Sequence, residues 1–584
     1  PGNHVGGVVS GGLVETDIGD RRTVGGLAAE FFQRVKEHYR RTYGEDSKQF
    51  ARCRDGLMYE PHVAERVMDQ MLAECRGVTV MKGQRMTGVQ RDSRGIGALE
   101  IEDLRAKVRR RVVARIYIDA TYEGDLMAAA SVPYRFGREG RDEYGEHLGG
   151  IAVGPEKGRA DRRIMAFNYR VSICERAENC VPVPKPDDYD PSLWGKYAER
   201  IRRDGLTRFS QLLVGGERRL GPNDKIDLNW GDLPEANEGY VEGDWPTREG
   251  IARRYRDYFL GHLYYLQNDP GLPAAWRANV RNWGLAKDEF TDNGNFPFQL
   301  YVREARRMVG QYVLTERDLT QDRYKWDGVC AGSYGIDCHT VRYLTIDSRR
   351  VSDATPHYNV PPYDIPYRCL TPADRLGQPQ NLLVPVCLSA THVAYCSVRM
   401  EPVFMMLGQA AGVAAHLAVA NRTSVQRVDV QSLRRQLRRD GAVLDFNFQP
   451  QVEIRWHPAK PVVGAAVGFR VCANELRDPI RRVCWDFEGD GSVTGQDEQT
   501  EHVFALAKQY RVNLVVEDLA GRRRLVSAVV PVGAAEATDV TIDDADAELA
   551  GHWDGGFPML DRRNRTPDVS FGPGIRYSKS PDPE

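Results

Sequence analysis

The segment Ser333-Tyr334-Gly335-Ile336-Asp337-Cys338-His339 concentrates side chains that can move protons. In an extended chain, residues two apart share a face, so Asp337 and His339 would point together and orient one another as base and partner. His392, in Thr391-His392-Val393, is a second candidate for acid–base contact with a substrate, because imidazole titrates near neutral pH. A lone histidine is more often structural, and both residues compete with that reading. Arg303 and Arg306, within Phe296–Met308, would suit a carboxylate or a sugar, although a surface helix accounts for them equally well. The 11 cysteines include no C-x-x-C pair, which argues against a zinc ribbon or an iron–sulfur cluster, and no metal site is expected.

Positioning such groups requires a scaffold, and three segments suggest one. The opening Pro1–Gly12 holds two Gly-Gly pairs, with a third at Gly25-Gly26; such density lets a backbone approach a ligand or take positive φ. Ile116–Leu126 reads as an apolar strand running through a turn into a helix, the place where α/β proteins bind ligands. Leu388–Ala415 places Pro402 early in a helix and small residues along Gly408–Ala415, so that a helix N-terminus could sit against an anion or a ring. Around these, Pro61 before Val63, Val67 and Met71 predicts an amphipathic helix. Gly77–Val80 and Lys107–Ala114 read as strands, and the basic run Arg105–Arg111 reads as a solvated strand face.

Together these segments resemble the FAD-dependent oxidoreductase family. Its "ATxxGD" turn matches Ala120–Asp125, and its "SxTHVAxxSxRMEPxFMxLGQAAGxAA" ending matches Ser389–Ala415. The likeness spans about 1–447, and the 333–339 and 225–229 segments resemble further family elements, the second carrying Asp227 and Asn229. What it implies is an α/β fold: a Rossmann-like, glutathione-reductase-like FAD-binding domain with an inserted substrate region and FAD stretched across the sheet. By the same resemblance, Gly6, Gly7, Ser10, Gly11 and Gly12 would line the ribityl and flavin side, and Val80 the adenine. Ala120 and Thr121 would lie near the adenosine portion, and Arg399, Gly408, Gln409 and Ala410 near the ribityl chain and ring. No G-x-G-x-x-G occurs in the 584 residues, and the resemblance places that fingerprint just before Pro1, so the first β-α-β is expected to be missing from this chain.

After Pro450 the style changes to β alternation, with Val512, Leu514 and Val516 on one face. Trp485-Asp486-Phe487-Glu488-Gly489-Asp490-Gly491 and Tyr510–Asp518 resemble a polycystic-kidney-disease-type domain, an immunoglobulin-like β-sandwich. Asp486, Glu488, Asp490 and Asp497 also mimic a calcium loop, without the flanking helices of an EF-hand. Cys472 and Cys484, on strands expected to be neighbours, could pair in an oxidising compartment. Thr541–Asp546 and Gly551-His552-Trp553 resemble the start of a golvesin-type carbohydrate-associated domain. The expected division is therefore 1–150 and 331–447 for the FAD-binding domain, 151–330 for an inserted substrate region, 450–532 for the sandwich and 533–584 for a linker and partial module.

A formal net charge of −2 and 28% charged residues exclude a general nucleic-acid binder, and 41% hydrophobic residues exclude a disordered chain. No apolar run reads as a transmembrane segment, and the sequence opens at Pro1 without an initiator Met, which leaves room for a signal peptide upstream of it. The leading expectation is an exported bacterial flavoprotein that oxidises or reduces a sugar-derived or other polyhydroxylated small molecule at flavin N5, with an unidentified electron acceptor. The rival is a non-catalytic surface protein that binds glycans or proteins.

Overall fold

The computed structural model describes residues 2–534 apart from 94, 176, 214–219, 445–450, 475–478, 520 and 522, together with the backbone of Pro558–Leu560 and Pro567–Val569. The golvesin-like motifs at 541–553 lie outside the described residues. Two compact units emerge: Pro1–Glu316, Val329–Val360 and Tyr367–Leu444 form one, and Arg317–Gly328, Pro361–Pro366 and Asp445–Glu584 the other.

In the first unit the helix Pro61–Glu74 forms where its spacing predicts, with Pro61 in the first turn, where a missing N–H costs nothing. It buries Val63, Ala64 and Val67 against Phe31, Phe32 and Val35 of the helix Gly26–Tyr43. The expected strand at Gly77–Val80 does not form: Val78 and Val80 are exposed and the segment has no ladder to join. The strand begins at Gln84 and runs to Asp92, in an antiparallel meander with Gly95–Asp103 and Val108–Val112. Arg109 and Arg111 stand opposite Glu102 and Glu100, so the basic run is a solvated, charge-paired strand face.

Tyr117–Ile118 pairs in parallel with Leu382–Leu383. The turn after it is organised by buried Asp119, whose carboxylate accepts from Thr121 N–H (3.1 Å), the Thr121 hydroxyl (2.6 Å) and Met127 N–H (2.8 Å). Thr391 caps the helix His392–Val398 by accepting from Ala394 N–H, and Pro402 starts the helix Glu401–Ala420. That 20-residue helix is long and apolar enough by composition to cross a membrane, which the sequence reading did not register. In this unit it buries Leu407, Ala410, Ala411 and Ala414, as a core helix does.

The 151–330 stretch reads from sequence as loop-heavy, yet its residues build a well-packed aromatic core. An antiparallel sheet in the order Cys180–Val181, Gly284–Ala286, Val171–Cys174, Lys225–Leu228 carries it. The 24-residue helix Trp245–Asn268, N-capped by Asp244, closes it over Trp194, Trp276, Phe167 and Phe209. Aromatic residues at irregular spacing carry no periodicity, which is why this core escaped sequence reading.

The second unit contains two antiparallel sheets, Gln451–His457/Ala466–Asn474/Gln499–Val503 and Ile480–Asp486/Gln509–Asp518/Arg523–Pro531. Val512, Leu514 and Val516 all face the core with Phe469, Trp485 and Phe504. Cys472 and Cys484 belong to different sheets and form no disulfide. Asp486 is a turn cap: its carboxylate accepts from Gly489 N–H (2.7 Å), Asp490 N–H (3.2 Å), Gly491 N–H (3.0 Å) and the Asn513 amide (3.0 Å). Burial pushes its pKa up, but these donors more than reverse that and hold it below the usual carboxylate value. The stability it contributes is present above the unfolded carboxylate's pKa of about 3.9 and is lost as pH falls through the lower folded value. Asp486→Ala should therefore cost this unit about 1–3 kcal/mol at neutral pH. In thermal unfolding the gap from the parent should close in acid; a gap that persists there would assign the loss to packing.

Candidate active site

A backbone bridge from Ile336 to Tyr358 holds the 333–339 segment extended. As expected, Asp337 and His339 lie on one side, but they are not each other's closest partners: His339 Nε2 is 3.9 Å from Asp337 Oδ2. His339 Nδ1 lies 2.6 Å from Asp232 Oδ2, a residue that sequence reasoning missed. Arg303 clamps Asp232 from its other side (2.9 Å) and donates to Asn229 Oδ1 (2.8 Å) and Ala166 O (2.5 Å). Burial pushes the Asp232 carboxyl up, and Arg303 and His339 together pull it below its ordinary value. Burial, seconded by Arg303, lowers the His339 pKa despite Asp232, so the imidazole is neutral at physiological pH. With Nδ1–H donated to Asp232, Nε2 carries the lone pair and faces the half-exposed Asp337.

Arg399 closes this row. It donates to the Tyr301 hydroxyl (3.0 Å) and to Asp337 O (2.9 Å). Asp227 pairs with buried Arg170 (2.8 Å) and accepts from Val14 N–H (3.2 Å), tying the glycine-rich opening to the sheet, while Asn229 supports Arg303.

Two sets of candidates lie deeper than their sequence suggests. Phe296–Met308 is not a surface helix: Arg303, Arg306 and Arg307 are all buried, and each is bound to carboxylates because a buried guanidinium needs a partner. His392, the second acid–base candidate, is deeply buried. It is 1% exposed, its Nδ1 lies 2.9 Å from Glu304, and its Nε2 faces the sulfurs of Cys338 (3.5 Å) and Cys396 (3.8 Å). Burial opposes its charge, but Glu304 and the Cys338 sulfur raise its pKa to about 10.

The residues implied for the cofactor are placed unevenly. A Cβ on Gly7 would meet the Tyr122 hydroxyl, one on Gly11 the Gln299 side chain, and one on Gly12 the Arg170 carbonyl. Gly6 faces Met68 and Ser10, and the buried Ser10 hydroxyl donates to Val5 O. In this structure these glycines make room for protein atoms. Val80, Ala120 and Thr121 are exposed, Ala410 is fully buried, and Gln409 accepts from Leu27 N–H (2.9 Å). Only at Gly408, among these glycines, would a Cβ meet open space.

One feature does fit a polar aromatic cofactor. Both carboxyl oxygens of buried Glu401, together with Arg399 Nε and Arg303 Nε, have no hydrogen-bond partner. Buried polar atoms of this kind call for one, and a ring edged with carbonyl and N–H groups would supply it. Burial, with help from Asp17, raises the Glu401 pKa to about 7, so it can donate as well as accept.

No curated protein matches the chain. Among solved structures, one of carbohydrate-binding modules from the beta-sandwich superfamily is 25% identical over 16% of this chain and 38% of its own, with TM-score 0.15. The PKD1 domain of Vibrio anguillarum Epp is 20% identical, covering 15% of this chain and 98% of its own, with TM-score 0.13. The PKD1 domain of the Vibrio cholerae metalloprotease PrtV is 21% identical, covering 15% and 100%, with TM-score 0.13. The family profile described as PKD domain matches residues 447–532. The profile described as FAD dependent oxidoreductase matches residues 1–437, three quarters of the sequence, and the chain belongs to that FAD-dependent family.

Proposed function

We propose that the chain oxidises or reduces a polyhydroxylated, sugar-derived small molecule, and that it works outside the cell, where PKD domains are typical. The observation that carries the reading is the Asp232–His339 contact of 2.6 Å, backed by Arg303, which leaves the lone pair of a neutral Nε2 on the side of Asp337. A nitrogen held in one tautomer by a carboxylate is suited to take the proton of a substrate hydroxyl, and Asp337 beside it can accept from a neighbouring hydroxyl. Arg399 holds Asp337 through its backbone carbonyl and so fixes where that hydroxyl is read. FAD, when bound, supplies the hydride acceptor or donor. Glu401, Arg399 and Arg303 are the residues whose unpartnered atoms would hold its polar edges.

The test is to load the full chain with FAD, remove excess by gel filtration and mix it anaerobically with a panel of sugars, uronates and polyols. Bleaching of the flavin band by at least one of them is expected. Bound flavin that none of them reduces would overturn the substrate class. A chain that holds no flavin yet binds glycans would leave the non-catalytic surface protein as the reading.

A further inference from the structure

The sulfurs of Cys338 and Cys396 and the Nε2 of His392 all lie within 4.8 Å of one another. We propose that these three residues form a binding site for one zinc(II) ion inside the first unit. Zinc bond lengths of about 2.3 Å to sulfur and 2.0–2.1 Å to nitrogen give, at tetrahedral angles, S···N edges of about 3.6 Å. The observed edges are 3.5 and 3.8 Å.

The local structure favours this geometry. His392 and Cys396 stand one turn apart on the helix His392–Val398, so their side chains share a face. The third ligand arrives on the extended 333–339 segment. A ligating histidine nearly always donates its other nitrogen to a carboxylate or carbonyl, which fixes the tautomer. Glu304 is in that position, 2.9 Å from His392 Nδ1, and Arg307 holds it at 3.0 Å. Met165 Sδ, 3.8 Å from Cys396 Sγ, adds a soft, apolar neighbour.

Charge selects the ion. Two thiolates and a neutral imidazole make a zinc(II) site neutral overall, which keeps the cost of burying it low, whereas a monovalent soft ion would leave a buried negative charge. Because Cys338 sits between Asp337 and His339, the ion would also pin the segment that carries the proposed proton acceptor. The binding claim does not depend on the flavin or on that acceptor.

The experiment uses the full chain, reduced and stripped of metal. Cobalt(II) serves as the probe, because tetrahedral thiolate-bound cobalt has d–d bands to the red of flavin absorption; zinc(II) then displaces it and is counted by mass spectrometry after dialysis. One cobalt per chain is expected, displaced by one zinc. Cys338→Ser and Cys396→Ser should each abolish the bands, and Glu304→Gln should weaken binding about 10–100-fold, while exposed Cys75→Ser leaves it unchanged. If the cysteine variants do not fold, protection of Cys338 and Cys396 from alkylation in the zinc-loaded parent replaces them. The proposal is overturned by a reduced parent that shows no cobalt bands, by metal retained equally in both serine variants, or by alkylation that zinc does not slow.

Discussion

Arg307→Met is expected to lower the stability of the first unit by about 3–5 kcal/mol, the cost of leaving buried charges without a partner. Arg307 is 1% exposed and donates to Glu139 (2.6 Å), Glu304 (3.0 Å) and the Ala390 carbonyl (2.9 Å), as well as to Gly137 O. Methionine fills the volume but donates nothing, so two carboxylates face each other in the interior. Both are also partners of His392: Glu139 accepts its backbone N–H at 2.8 Å, and Glu304 its ring. The damage should therefore reach the helix His392–Val398 and the sulfur cluster behind it. Calorimetry of the full chain, following the first unit's transition, measures the loss. Adding Glu139→Gln and Glu304→Gln should recover much of it, since neutral amides cost far less to bury than lone charges. A single variant that loses under about 1 kcal/mol would mean that the carboxylates protonate or find other donors.

What could be read from the sequence follows a physical division. Elements specified by neighbouring residues are visible: Pro61 with its apolar period, Pro402 as a helix start, and Val512, Leu514 and Val516 at strand spacing. Arg303, Arg306 and Arg307 defeat the same rules, because basic residues crowded in one stretch usually mean solvent. Here each is drawn inward by a carboxylate far away in the chain, Arg307 by one 168 residues distant. The glycine-rich opening is ambiguous for a related reason: glycine reports that something comes close, without saying what, and at Gly7, Gly11 and Gly12 the neighbouring protein groups are Tyr122, Gln299 and Arg170. In the candidate site, the resemblance marks the 333–339 segment, and period two puts Asp337 and His339 on one side of it. Asp232, the actual partner of the imidazole, lies 107 residues away, and no spacing rule reaches it. Its only signal was its place three residues after Asn229, just beyond the Lys225–Asn229 run marked by resemblance.

His339→Ala should slow substrate-driven flavin reduction by about 10²–10⁴-fold, the usual contribution of a positioned acid or base, while the amount of bound flavin stays the same. The two readouts separate a proton acceptor from a structural residue, because a site that merely collapsed would lose cofactor and turnover together. Asp232→Asn sharpens the test. An asparagine amide can donate to Nδ1, which would put the proton on Nε2 and turn the acceptor into a donor. The ring would then stay in place with the wrong tautomer, and turnover should fall while KM changes little, as expected when an interaction made in the transition state is lost. A wild-type rate in Asp232→Asn would mean that the tautomer is irrelevant. A wild-type rate in His339→Ala would remove the acceptor altogether and leave Asp337, held by Arg399 through its backbone, as the group that meets the substrate hydroxyl. Raised KM with unchanged turnover in both variants would make the row a binding element, with the proton leaving by another route.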